Sequence, residues 1–189
     1  YTNQSYWQPY SNSNSSPFRE TSHEPEVFVL FRNDWEIFGW RNSVSALGFN
    51  HQSNGRPVPL SRSWNRLYAN FVFDHGDWLI SFKPWYRIPE KEKTNPLQAD
   101  GDDNPDILDF MGYAETRIMH KKNNRVFTMM LRNNLTSDGL GAVELTYSYT
   151  LYANLKGYVQ YFNGYGESLI DYNARSNRIS IGVAISDWL

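Results

Sequence analysis

At 189 residues with a formal net charge of −2 and a sequence pI near 6.1, the chain has the size of one domain, 1–189. Its scattered lysines and arginines make no basic field for nucleic acid. The absence of cysteine excludes a disulfide framework, a thiolate metal site and a cysteine nucleophile.

Period-two alternation predicts about ten strands, at roughly 1–10, 25–34, 43–53, 62–73, 78–88, 111–120, 125–134, 142–150, 155–164 and 178–188, and helical periodicity is hardly seen. In the first strand Tyr1, Asn3, Ser5 and Trp7 share a face, and Asn3 is expected to hydrogen-bond across a subunit interface. Next comes a loop, 11–24, in which His23 is solvated. In the third strand Leu47, Phe49 and His51 share a face, and in the fourth Asn65 shares one with Leu67, Ala69, Phe71 and Phe73, opposite Arg66, Tyr68 and Asn70. The fifth sets Trp78, Ile80, Phe82, Tyr86 and Ile88 against Ser81, Lys83 and Arg87. The acidic run Asp100 to Asp106 fails the EF-hand spacing and reads as an exposed loop capping its own turns. Toward the end, Val143, Leu145, Tyr147 and Tyr149 oppose Glu144, Thr146 and Ser148, and Ile179, Ile181, Val183 and Ile185 oppose Ser180, Gly182, Ala184 and Ser186. His75 and His120 fall at turns and are expected to be solvated.

One face of these strands is greasy, and the other carries Arg66, Lys83, Arg87 and Glu144. Charges at mid-strand are costly in a dry sandwich core and natural in a polar barrel lumen. Short connections at 74–77, 121–124 and 151–154 alternate with long ones, which gathers the long loops at one end of an up-and-down arrangement. Aromatic residues make up 16% of the chain, enough to form girdles at two membrane surfaces. No run of eighteen apolar residues exists and the mean hydropathy is −0.63, which excludes a membrane-spanning helix but not a barrel. The expected fold class is therefore all-β, a transmembrane antiparallel up-and-down β-barrel. Two alternatives are a non-enzymatic porin or channel, which would conduct across planar bilayers without esterase activity, and a soluble lipocalin-like carrier, which would stay monodisperse without detergent.

The stretch His51 to Arg66 concentrates chemistry. His51 and Ser53 stand at i, i+2 on a strand and point to the same side. A serine becomes a nucleophile when an imidazole takes its proton, and the imidazole needs a third group to fix its tautomer. Asn65, after a turn-rich loop with Asn54-Gly55 and two prolines, is the candidate for that group. These residues lie on the greasy face near the long loops, where polar groups are expensive and point to function.

The same segment resembles the catalytic block of the outer-membrane phospholipases A of Gram-negative bacteria. Ser15-Ser16-Pro17-Phe18-Arg19-Glu20, Lys83-Pro84-Trp85-Tyr86, Asp103-Asn104-Pro105-Asp106-Ile107 and the run Gly164 to Asn173 resemble its other blocks. Members are twelve-stranded barrels whose first strands come from an upstream segment, so the resemblance implies that this chain is N-terminally short. It further implies a phospholipase of the outer membrane, its site toward the outer leaflet, with Ser53 as nucleophile, His51 as general base, Asn65 orienting the ring and the Gly55 N–H as oxyanion donor. It implies Ca²⁺ as cofactor in an active homodimer, held by the Arg56 carbonyl, the Ser61 hydroxyl and Ser15 of the partner subunit. Two departures stand out. Pro57-Val58 replaces a small polar and an acidic residue, making a second metal site doubtful, and the chain ends on Trp188-Leu189 rather than on an aromatic residue. The Gly164 to Asn173 run is a family marker expected to be a packed external loop.

Overall fold

The computed structural model describes residues 1–10 and 18–185. Among them the chain forms eleven strands: β1 (Thr2–Trp7), β2 (Phe18–Glu24), β3 (Glu26–Ile37), β4 (Trp40–Ser53), β5 (Ser63–His75), β6 (Trp78–Ile88), β7 (Ala114–Lys122), β8 (Arg125–Asn133), β9 (Gly141–Tyr152), β10 (Leu155–Gly164) and β11 (Ser176–Ala184). One short helix, α1 (Ile107–Met111), lies between β6 and β7. All the strands join one antiparallel sheet in the order β1-β2-β4-β5-β6-β7-β8-β9-β10-β11, with β3 also on β4. β2 and β3 lie end to end along the same edge of β4. β3 pairs with Trp40 to Asn50, and β2 reaches β4 through His23 opposite Ser53. Eleven strands thus occupy ten places.

Two-residue turns join β3 to β4, β5 to β6, β7 to β8 and β9 to β10 at one end of the sheet. The connections 54–62, 89–113, 134–140 and 165–175 gather at the other. The Phe38-Gly39 turn has positive φ at both residues, 49° and 79°, the backbone that matches strand twist in a tight hairpin.

The faces are inverted relative to a water-soluble barrel. Outward residues such as Leu47, Leu67, Ile179 and Ile181 are exposed, Ile181 at 84% of its surface, while the inward Arg66 shows only 8%. Inside, Arg66 donates to Asn50 Oδ1 at 2.9 Å and to Glu24 Oε1 at 2.8 Å, and its guanidinium lies 4.0 Å over the Trp64 ring. Tyr68 Oη donates to Glu26 Oε2 at 2.7 Å. Gly48 is small because a Cβ there would stand 2.6 Å from the Tyr68 ring. An apolar exterior of this extent is unfavourable in water and stable in hydrocarbon. The lipocalin-like alternative, which needs the opposite polarity, is thereby set aside.

Beneath the long loops the inner face is apolar. Trp64, Trp85, Ile107, Met111, Leu169 and Tyr172 pack with Tyr68 into one buried cluster, flanked by Leu108 and Phe110. The Gly164 to Asn173 run is part of this packing, as expected. Its Ile170 N–H donates to the buried Glu20 Oε1 at 2.7 Å, and Asp171 pairs with Arg19 at 2.5 Å.

The structure corrects several sequence expectations. The stretch 18–24 is a strand, not part of a loop, because Glu20 and Ser22 are buried inward while Arg19, Thr21 and His23 are polar outward, so neither face shows apolar alternation. β7 begins at Ala114 rather than 111. The residues before it form α1, which stops at Gly112 with φ 67°. The acidic run is not an exposed loop. Asp102 and Asp103 side chains are each 8% exposed, paired with Arg87 and Lys93, although Asp102 does cap its turn through the Asn104 N–H at 2.9 Å.

Candidate active site

β4 and β5 are antiparallel, and their register sets His51 directly opposite Asn65 and Ser53 opposite Ser63. Directly opposed residues project to the same side of a sheet. The His51 and Asn65 side chains meet there, Nδ1 to Oδ1 at 2.9 Å. Asn65 Nδ2 donates to Glu90 Oε1 at 3.0 Å. A carboxylate beside the amide NH₂ turns the amide oxygen toward His51, so the imidazole donates from Nδ1 and its Nε2 is left as the basic nitrogen.

Ser53 is two residues beyond His51 on the same face, at the strand end. Among the described residues the two make no hydrogen bond, a looseness common where a catalytic contact tightens only around substrate. The opposite face at this point is anchored. Gln52 donates to Ser22 Oγ at 3.1 Å and accepts from Trp64 Nε1 at 2.8 Å, and Trp64 is fully buried. Packing on the inner side thus holds the outer side in place.

The loop 54–62 is organised by Asn54, which is buried. Its Oδ1 accepts from Arg56 N at 3.3 Å and Arg62 N at 3.0 Å, and its Nδ2 donates to Leu60 O at 2.9 Å. Gly55 follows at φ 62°, a left-handed conformation that glycine adopts without steric cost. Among the described residues no acceptor takes the Gly55 N–H.

Arg56 and Ser61 stand in the same loop. The Arg56 guanidinium donates to the carbonyls of Phe18, at 3.1 Å, and Arg19, tying the loop to the start of β2. Ser61 Oγ donates to Asp103 Oδ2 at 2.5 Å, which orients its lone pairs away from the carboxylate. A carbonyl and a hydroxyl are the hard oxygen donors that Ca²⁺ prefers. The donor set therefore fits a weak, largely hydrated calcium site. Ser15 lies outside the described residues.

Two neighbours escaped the sequence reading. His23, expected in a loop, is the register partner of Ser53 on β2. Its Nδ1 is 2.6 Å from Tyr1 Oη and 3.1 Å from Asn3 Nδ2, and Asn3 Oδ1 accepts from Ser5 Oγ at 3.3 Å. The other is Glu90, in the long loop after β6, with no spacing to announce it. Burial, followed by the charge of Asp102, pushes the Glu90 carboxyl above its usual range.

The phospholipase A1 family model matches residues 1–185 of the chain. The phospholipase A1 of Escherichia coli strain K12 is 41% identical over 187 residues, which cover 99% of this chain and 61% of the relative. The chain thus spans about three-fifths of the length of the curated relatives it matches. Among solved structures, an outer membrane phospholipase A from Escherichia coli superposes with a TM-score of 0.87 at 40% identity, covering 96% of this chain and 71% of that one. A Salmonella typhi outer membrane phospholipase, solved as a dimer with bound calcium, gives 0.86 at 40% identity, covering 96% and 67%.

Proposed function

The chain belongs to the phospholipase A1 family, and from that membership we propose that it is a calcium-dependent phospholipase A of a Gram-negative outer membrane, hydrolysing acyl esters of glycerophospholipids and lysophospholipids. The observation that carries this reading is the His51–Asn65 hydrogen bond at 2.9 Å, formed on the exposed apolar face beside Ser53. A site on that face meets lipid directly, with the long loops toward the outer leaflet.

Ser53 Oγ attacks the acyl carbonyl while His51 Nε2 takes its proton. The negative charge that develops on the carbonyl oxygen meets the Gly55 N–H. The imidazolium is held by Asn65 through Nδ1 and gives its proton to the departing lyso-lipid oxygen, leaving an ester on Ser53. Water, deprotonated by His51, then attacks this ester, and the fatty acid leaves as Ser53 regains its hydrogen. Asn65 orients the ring but stabilises the imidazolium less than a carboxylate would.

Calcium, when bound by the Arg56 carbonyl, the Ser61 hydroxyl and Ser15 of the partner subunit, would supply positive charge beside the developing oxyanion. A dimeric relative with bound calcium supports calcium and a homodimer for this chain. A site shared between subunits gives a direct form of control, in which monomers idle and dimers hydrolyse.

An organophosphorus fluoride tests the nucleophile. It should attach once per chain at Ser53, and labelling elsewhere with Ser53 untouched would overturn the assignment.

A further inference from the structure

Behind Asn65 stands a carboxylate that the triad does not use. The Asn65 amide is held at both ends, with Oδ1 2.9 Å from His51 Nδ1 and Nδ2 3.0 Å from Glu90 Oε1. Turning the amide over would set its oxygen against a carboxylate oxygen and its NH₂ against a ring N–H, losing both bonds. The sheet places Glu90 for this contact. Ile88, the last residue of β6, is the register partner of Asn65, and Pro89 ends the ladder there because it has no N–H to donate. Glu90 is the next residue, partly buried.

We propose that Glu90 is a positioning residue for the hydrolysis: it fixes the Asn65 amide with its oxygen toward His51, and its charge polarises that amide so that the imidazolium is better stabilised than by a neutral amide alone. This rests on the reading of the site given under the proposed function. The charged groups around Glu90 are Arg87 on β6 and Asp102 and Asp103 on the loop. Arg87 is paired with Asp102 at 2.6 Å, and Asp103 with Lys93. These neighbours are internally compensated, and the hydrogen-bond partner of Glu90 among the described residues is the Asn65 amide. The chain of contacts His51, Asn65, Glu90 thus ends on an anion, as a carboxylate-based triad does one group earlier.

The test compares the parent, Ser53→Ala, Glu90→Ala and Glu90→Gln, as full chains in detergent micelles, by kcat, KM and the pH profile of phospholipid hydrolysis. Glu90→Ala is expected to lose about tenfold in kcat with KM unchanged, and the acid limb of its profile should move to lower pH as the imidazolium loses its remote counter-charge. Glu90→Gln keeps an acceptor for Asn65 in nearly the same volume. It should retain more of kcat while sharing the shift of the acid limb, which a merely structural role would not move. A Glu90→Ala or Glu90→Gln kcat within twofold of the parent, with the acid limb in place, overturns the role of Glu90 alone. A parent that does not hydrolyse the lipid, or whose hydrolysis survives Ser53→Ala, overturns the reading of the site and this role with it.

Discussion

The Nδ1 of His51 lies 2.9 Å from the Oδ1 of Asn65 across one rung of the sheet, where the two residues are direct register partners. The register sets the two side chains beside each other on one face, and Glu90 holds the far end of the amide, Nδ2 to Oε1 at 3.0 Å. Removing the amide leaves the ring free to turn but leaves Ser53 and the Gly55 N–H untouched. Asn65→Ala should therefore lower kcat on the order of tenfold, with little change in KM, whereas His51→Ala should cost on the order of 10³-fold or more. Steady-state kinetics on mixed micelles separate the two.

Ser61 Oγ donates to Asp103 at 2.5 Å, and under the proposed function its oxygen would serve as a calcium ligand. Ser61→Ala removes one oxygen donor from a sparse site and leaves the triad intact. The calcium concentration for half-maximal hydrolysis should rise roughly tenfold, while the rate at saturating calcium stays near that of the parent. A calcium titration of fatty-acid release measures both.

Ile181 is 84% exposed on β11, with Val159 of β10 as its register partner. In hydrocarbon an arginine at such a position costs about 2–4 kcal/mol near the bilayer midplane, and less toward either surface. Ile181→Arg should therefore lower the stability of the protein in lipid vesicles measurably. In water the same substitution on an exposed strand would be close to neutral. Unfolding titrations in vesicles distinguish these cases.

Asp171 pins the Gly164 to Asn173 run to β2 through Arg19, at 2.5 Å. The hydrogen bond from Arg19 holds its carboxyl below the ordinary range. A depressed carboxyl contributes stability that is present above its unfolded pKa of about 3.9 and is lost as pH falls through the lower folded value. Arg19 is half exposed, so solvent screening limits the pair to at most about 1 kcal/mol. Asp171→Asn should unfold more easily than the parent at neutral pH, and the difference should begin to shrink only below about pH 4 and vanish once the pH is below the depressed folded value. Melting curves across that range check the sign and the window.

Much of the fold was legible because the greasy and polar faces alternate cleanly in β5, β6, β9 and β11, and because charged residues such as Arg66 and Glu144 cannot sit in a dry core. β2 was not legible, since Glu20 and Ser22 face inward while Thr21 and His23 face outward, giving polar residues on both sides. The helix α1 has five residues, too few to show a period. Within the candidate site, the meeting of His51 and Asn65 on the face that carries Ser53 was readable from local spacing and family resemblance. Glu90 and His23 were not, because one arrives by a long loop and the other by cross-strand register, and neither relationship leaves a mark in local sequence. The acidic run was misread for the same reason, its partners Arg87 and Lys93 being brought to it only by the fold.

The proposed chemistry turns on Ser53 as the nucleophile of a lipid-facing esterase. Fatty-acid release from phospholipid mixed micelles, with calcium or with chelator, measures it most directly in the parent and in Ser53→Ala. Release that requires calcium and falls by at least about 10³-fold in Ser53→Ala is the predicted result. Equal release by the two proteins would rule out Ser53 as the nucleophile.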